Sequence, residues 1–137
     1  MGKIVQDMWI FTNTGISIFN RVYDPREVND QRFAMLLSAI NSFANHIYKG
    51  GISNFEIRNK KYTIVEKNNF LFIGNTEPKI KNKKITDELE EISNKFFEVY
   101  PIDVLKKWNG DLSIFEDFEE YIQDSMKNKL KNFIDMI

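Results

Sequence analysis

Met8-Trp9-Ile10-Phe11-Thr12-Asn13-Thr14-Gly15-Ile16-Ser17-Ile18-Phe19 is a strand, a turn and a second strand. Ile4 and Val5 lengthen the first strand. Both of its alternating sets are apolar: Ile4, Met8 and Ile10 on one side, Val5, Trp9 and Phe11 on the other. A strand that is apolar on both sides is covered on both sides. Thr12 to Gly15 supplies turn chemistry, and Gly15 can take a positive φ without a steric penalty. The second strand, Ile16 to Tyr23, is mixed: Ile16, Ile18 and Val22 are interspersed with Ser17 and Arg21. The pattern predicts a β-hairpin over residues 4–23.

Downstream, Asp24-Pro25 breaks the strand, and Asn29 or Asp30 can cap a helix. Phe33, Leu36, Leu37, Ile40, Phe43, Ala44 and Ile47 form one helical stripe, closed by Lys49-Gly50-Gly51. Three strands should follow. Ile52 to Arg58 carries Phe55 and Ile57 on one face, Asn59-Lys60-Lys61 turns, and Tyr62 to Glu66 continues. Lys67-Asn68-Asn69 turns again into Phe70-Leu71-Phe72-Ile73, an apolar run suited to a central strand. Gly74 to Lys84 is polar, contains Pro78, and reads as an exposed loop. A second helix is expected from near Thr86, with Asp87 and Glu88 in its first turn and Leu89, Ile92, Phe96 and Val99 buried. Pro101 opens a short helix over Ile102 to Trp108, ended by Asn109-Gly110. Ser113 with Glu116 reads as a capping box for a last helix carrying Phe115, Phe118, Ile122, Leu130 and Phe133.

The expected order is β-β-α-β-β-β-α-α within one domain over 1–137. Short hairpin loops make the strands antiparallel. The first and fifth strands, apolar on both sides, should lie centrally with helices on both faces. The expected class is therefore α/β (α+β), a five-stranded antiparallel sheet between one helix on one face and two C-terminal helices on the other.

Composition narrows the function. The 42% hydrophobic content and 12 Phe supply a core, while a net charge of −1 gives no footprint for nucleic acid. The absence of cysteine removes disulfides, thiolate zinc sites and a cysteine nucleophile together. No stretch approaches the ~18 apolar residues of a membrane span. The N-terminus lacks signal-peptide architecture, and Gln6 stands where a myristoylation motif wants Ser or Thr. The chain reads as a soluble cytoplasmic protein.

The order of elements resembles the longin, or SNARE-like, domain. The residues that carry the resemblance are Met8-Trp9-Ile10-Phe11 through Gly15 to Ile18-Phe19. With them go Phe55-Glu56-Ile57-Arg58, Tyr62-Thr63-Ile64-Val65 and Phe70-Leu71-Phe72-Ile73, followed by an acidic helix. Roadblock and profilin-like folds use the same kinds of element. The resemblance implies a non-enzymatic module that binds a small GTPase or another longin or roadblock subunit in trafficking machinery. A longin SNARE continues into a coiled coil and a membrane anchor; neither is in this sequence, which suits a stand-alone adaptor or tether subunit. The alternative is a profilin-like domain sensing a small ligand.

The chemistry-bearing residues are few. No GxxxxGK[ST] or GxGxxG string occurs. His46 is the only histidine and lacks the further His or Cys ligands a metal needs. No cofactor and no metal are therefore expected. Asp87-Glu88 and Glu90-Glu91 read as solvated helix surface. Lys79, Lys81, Lys83 and Lys84 form the one dense basic run, a solvated loop or a contact for an anionic surface such as a membrane periphery.

Two features point to a protein partner. Met35, Ala39, Ser42 and His46 fall on the outer face of the first helix, a small and nearly uncharged stripe where a solvated helix more often shows Lys and Glu. It is read as a partner surface or a homodimer contact; the plainer reading is a neutral surface. The strand bearing Phe55 and Ile57, if it is an edge, can accept a partner strand.

Overall fold

In a computed structural model the structure describes residues 4–21, 37–42, 54–57 and 59–122. Five strands run in order: β1 (Met8–Thr12), β2 (Ser17–Arg21), β3 (Asn54–Ile57), β4 (Lys60–Lys67) and β5 (Phe70–Thr76). The helical elements are α1 (residues 37–42), α2 (Asn82–Val99), α3 (Ile102–Lys106), a 3-10 turn over Leu112–Phe115, and α4 (residues 118–122). The sheet has the order β2-β1-β5-β4-β3, with every pairing antiparallel. β5 is thus the middle strand with β1 beside it, as their two-sided apolar character requires.

The two sides of β1 and β5 feed two cores. Met8, Ile10 and Phe72 face Ile85, Leu89, Ile92 and Phe96 of α2, with Phe115, Phe118 and Ile122 closing that side. Trp9, Phe11, Leu71 and Ile73 face the other way and pack with Leu37 of α1, Tyr62 and Ile64. One helix therefore covers one face and the C-terminal helices the other. Phe96 is the hub of the larger core; its ring centroid lies 5.0–5.8 Å from those of Phe70, Phe72, Phe97, Tyr100, Phe115 and Phe118. Deleting such a ring removes both apolar burial and edge-to-face contacts, typically about 3–5 kcal/mol.

Turn chemistry sets the hairpins. Gly15 has φ 99°, and Gly15 N–H donates to the Thr12 carbonyl. Asn68 and Asn69, at φ 52° and 70°, make the two-residue turn that pairs Lys67 with Phe70. Asparagine tolerates that left-handed backbone better than most residues, and two such positions in a row match the twist of a hairpin.

Several boundaries differ from expectation. Val5 lies on the α2 side with Met8 and Ile10, not with Trp9, because β1 begins only at Met8 and strict alternation does not extend back to residue 5. Asn59 alone keeps a turn-like φ of 63° before β4, and Lys60 and Lys61 already belong to the strand. Gly74, Asn75 and Thr76 are buried strand residues rather than the start of an exposed loop. α2 begins at Asn82, so Lys83 and Lys84 sit in its first turn, and Asp87 and Glu88 lie beyond it. The final capping box does not form. Asp111 caps the 3-10 turn instead, its carboxylate accepting from the Ser113 N–H at 3.0 Å and hydroxyl at 2.7 Å. Those bonds hold the exposed Asp111 carboxyl below the usual aspartate range.

Candidate functional site

The strand order leaves β3 at one edge of the sheet, paired only with β4 among the described residues. Phe55 stands opposite Tyr62, and their rings stack at 5.3 Å with an interplanar angle of 7°. Tyr62 in turn stacks on Trp9 at 6.0 Å. Phe55 is half-buried at the margin of the core that Leu37 closes. Ile57 pairs with Lys60 in the register and ends the strand. The edge strand and α1 thus share one face of the sheet.

α1 is seated by three contacts. Leu37 is 1% exposed against the sheet. The Ser38 hydroxyl donates to the Thr12 carbonyl at 3.4 Å, and the Asn41 amide donates to the Glu66 carboxylate at 3.3 Å. Both polar side chains are buried, so these bonds orient the helix as well as satisfy the groups. Ala39 and Ser42, three residues apart, are then exposed. A small side chain there leaves the helix backbone open to close approach. Met35 and His46, the other two members of that stripe, lie outside the described residues.

The basic run is elsewhere. Lys79, Lys81, Lys83 and Lys84 are exposed around the start of α2, the helix that packs on the opposite face from α1. Lys79 pairs with Glu77 at 3.4 Å and Lys83 with Asp87 at 3.1 Å, so part of the positive charge is already balanced. The structure does not bring these lysines together with Ala39, Ser42 and Phe55.

Four polar residues that sequence reasoning missed position this frame. Lys61 is only 8% exposed; its ammonium donates to the Ile80 carbonyl and to Asn82 Oδ1, fixing the entry into α2. Asp7 and Asn75, both within 2% of complete burial, join the ends of β1 and β5, and Lys60 approaches the Asp7 carboxylate at 3.6 Å. Glu88, expected as plain helix surface, accepts from the main-chain N–H groups of Ile4 at 2.8 Å and Val5 at 3.2 Å. Only the proximity of a carboxamide and a carboxylate to apolar runs hinted at these roles.

Among the described residues no group of three His, Cys, Asp or Glu side chains converges as a metal site would. No helix among them is long and apolar enough to cross a membrane. What this geometry offers is surface: an edge strand, an aromatic margin and a helix with small outward residues.

Neither a protein-family model nor a curated protein matches the sequence. Among solved structures the chain is similar to a Roadblock/LC7 domain from Streptomyces avermitilis, at 10% identity and a TM-score of 0.50, over 68% of this chain and 86% of that one. It is similar also to Myxococcus xanthus MglB, at 11% identity and a TM-score of 0.50, over 69% of this chain and 78% of that one. The fold is therefore the mixed α/β, five-stranded longin-like fold that these proteins share.

Proposed function

We propose that this chain is a non-enzymatic protein-interaction module whose partner face combines α1 and β3. The partner in this reading is a small GTPase or another longin- or roadblock-type subunit, a second copy of the chain included. The observation that carries it is the placement of exposed Ala39 and Ser42 on the same sheet face as the half-buried Phe55 of an edge strand. An open edge supplies unpaired backbone groups, and a flanking apolar margin supplies burial. The fold likeness to a Roadblock/LC7 domain and MglB supports a regulatory binding role connected with GTPases. Lys79, Lys81, Lys83 and Lys84 would add a weaker contact to an anionic surface, about 1 kcal/mol for each unpaired lysine.

The test joins solution mass with capture from the native extract. Light scattering on the purified chain should give a mass above the monomer, or the chain should retain a GTPase or a second longin-like protein. Ala39→Arg should abolish that association while far-UV circular dichroism stays unchanged. A monomer that captures nothing, or an association indifferent to Ala39→Arg, would overturn the reading.

A further inference from the structure

The corner between α3 and the 3-10 turn carries a reactive pair that a binding surface does not use. Asn109-Gly110 is the one Asn-Gly step in the chain, and both residues are exposed. Asparagine is among the chemically labile side chains. We propose that Asn109 is a site of spontaneous covalent modification, converted to aspartate and isoaspartate through a succinimide closed by the Gly110 main-chain nitrogen. The corner belongs to the α2 side of the sheet, where Trp108 packs against the larger core, and the proposal does not depend on the reading of the α1–β3 face.

Three observations single out this residue. The nucleophile is open: Gly110 has no side chain, a Cβ there would meet nothing within 4 Å, and its N–H makes no hydrogen bond among the described residues. Every other asparagine precedes a residue whose side chain crowds that approach. The electrophile is polarised: Asn109 Oδ1 accepts from the Asp111 N–H at 3.0 Å. Negative charge develops on that oxygen as Gly110 N adds to Cγ, and the donor already points at it. The leaving group is unheld, since Asn109 bonds through Oδ1 and not through Nδ2 among the described residues. In the reaction the Gly110 N–Cγ bond forms, the Cγ–Nδ2 bond breaks, and ammonia departs with the proton lost from Gly110. Water then opens the ring. Opening at Cγ gives aspartate; opening at the main-chain carbonyl gives isoaspartate, whose chain runs through Cβ and Cγ. Isoaspartate lengthens the main chain within the short span that Trp108 Nε1–H closes by donating to the Asp111 carbonyl at 2.8 Å.

The experiment incubates the full chain at mildly alkaline pH, folded in buffer and unfolded in guanidinium chloride, and follows both by tryptic mapping with mass spectrometry. Trypsin releases residues 108–127 as one peptide, in which Asn109 is the single asparagine, and fragment spectra separate it from Gln123. Two products of equal mass, aspartyl and isoaspartyl, should accumulate in that peptide ahead of any other asparagine in the folded chain. The folded chain should convert within about tenfold of the unfolded rate. The rate should rise with pH, because the attacking nitrogen must shed its proton. Gly110→Ala should slow conversion by about tenfold or more, and Asn109→Gln should remove it. A folded rate further below the unfolded one would mean that the fold shields the pair, and the proposal would fail. Aspartate without isoaspartate would also sink it, because water would then have attacked the amide directly. So would faster conversion at another asparagine of the folded chain.

Discussion

Asp7 and Asn75 are joined by three hydrogen bonds although 68 residues separate them: Asp7 N–H to Asn75 Oδ1 at 2.9 Å, Asn75 Nδ2 to Asp7 Oδ2 at 3.2 Å, and Asn75 N–H to the Asp7 carbonyl at 3.0 Å. Two polar side chains can be buried in the sheet because each satisfies the other. Asn75→Ala should therefore lower stability by about 2 kcal/mol or more, since it takes one hydrogen bond from a buried carboxylate and leaves the buried Asp7 N–H without its acceptor. Denaturant unfolding checks this, and a loss below about 0.5 kcal/mol would show that solvent or Lys60 compensates.

Gly74 lies under Val5. A Cβ at position 74 would sit 2.7 Å from Val5 Cγ1 and 3.3 Å from Leu89 Cδ2. Gly74→Ala should destabilise by about 1–3 kcal/mol through overpacking. Adding Val5→Ala removes the clashing methyls, so the double variant should lose less than the two single losses added together. Additive losses in the thermal unfolding of the four chains would contradict the contact.

Glu88 should give the stability curve a pH-dependent segment. Burial pushes its carboxyl above the ordinary glutamate range, opposed by the Ile4 and Val5 N–H groups and by the charge of Arg21; Glu91 adds to the rise. Between the ordinary value and the raised one, the folded chain binds more protons than the unfolded chain. The stability contributed by this group is therefore greatest below the ordinary value and falls as pH rises through the raised one. Glu88→Gln abolishes the titration and should flatten that segment. A curve of unchanged slope between about pH 4 and 7 would rule out a raised Glu88.

The α1–β3 face makes a paired prediction about association. Phe55→Glu places a charge on the half-buried margin of the edge strand, and Ala39→Arg places one on the helix. If both contribute to one contact, either should raise the dissociation constant by at least about tenfold, and the double variant should do little more once contact is lost. Sedimentation velocity reads this directly. Association that survives Phe55→Glu would confine the contact to the helix.

Much of the architecture was legible from period alone. Trp9 and Phe11 against Met8 and Ile10 required two covered faces, and Leu71 and Ile73 against Phe72 repeated the signal for β5. Leu89, Ile92 and Phe96 marked the buried side of α2. Asn68-Asn69 and Gly15 marked turns, because few other residues take positive φ so readily. At the candidate site, the exposure of Ala39 and Ser42 followed from the position of Leu37 on a 3.6-residue repeat. These are local properties: each depends on the spacing of side chains along one element.

Tertiary structure alone decided where elements end and which polar residues are internal. Gly74-Asn75-Thr76 has the composition of a loop, yet β5 continues through it because Asp7 supplies partners from the far end of β1. α2 starts at Asn82 rather than near Thr86 because Lys61, on β4, binds the Ile80 carbonyl and Asn82. Glu88 resembles every other acid on a helix surface until Ile4 and Val5 bring their N–H groups to it. Apolar burial announces itself in a repeating pattern, because every residue on one face meets the same environment. A buried polar group is stabilised by one partner at one distance, and the sequence separation between the two carries no period from which to read it.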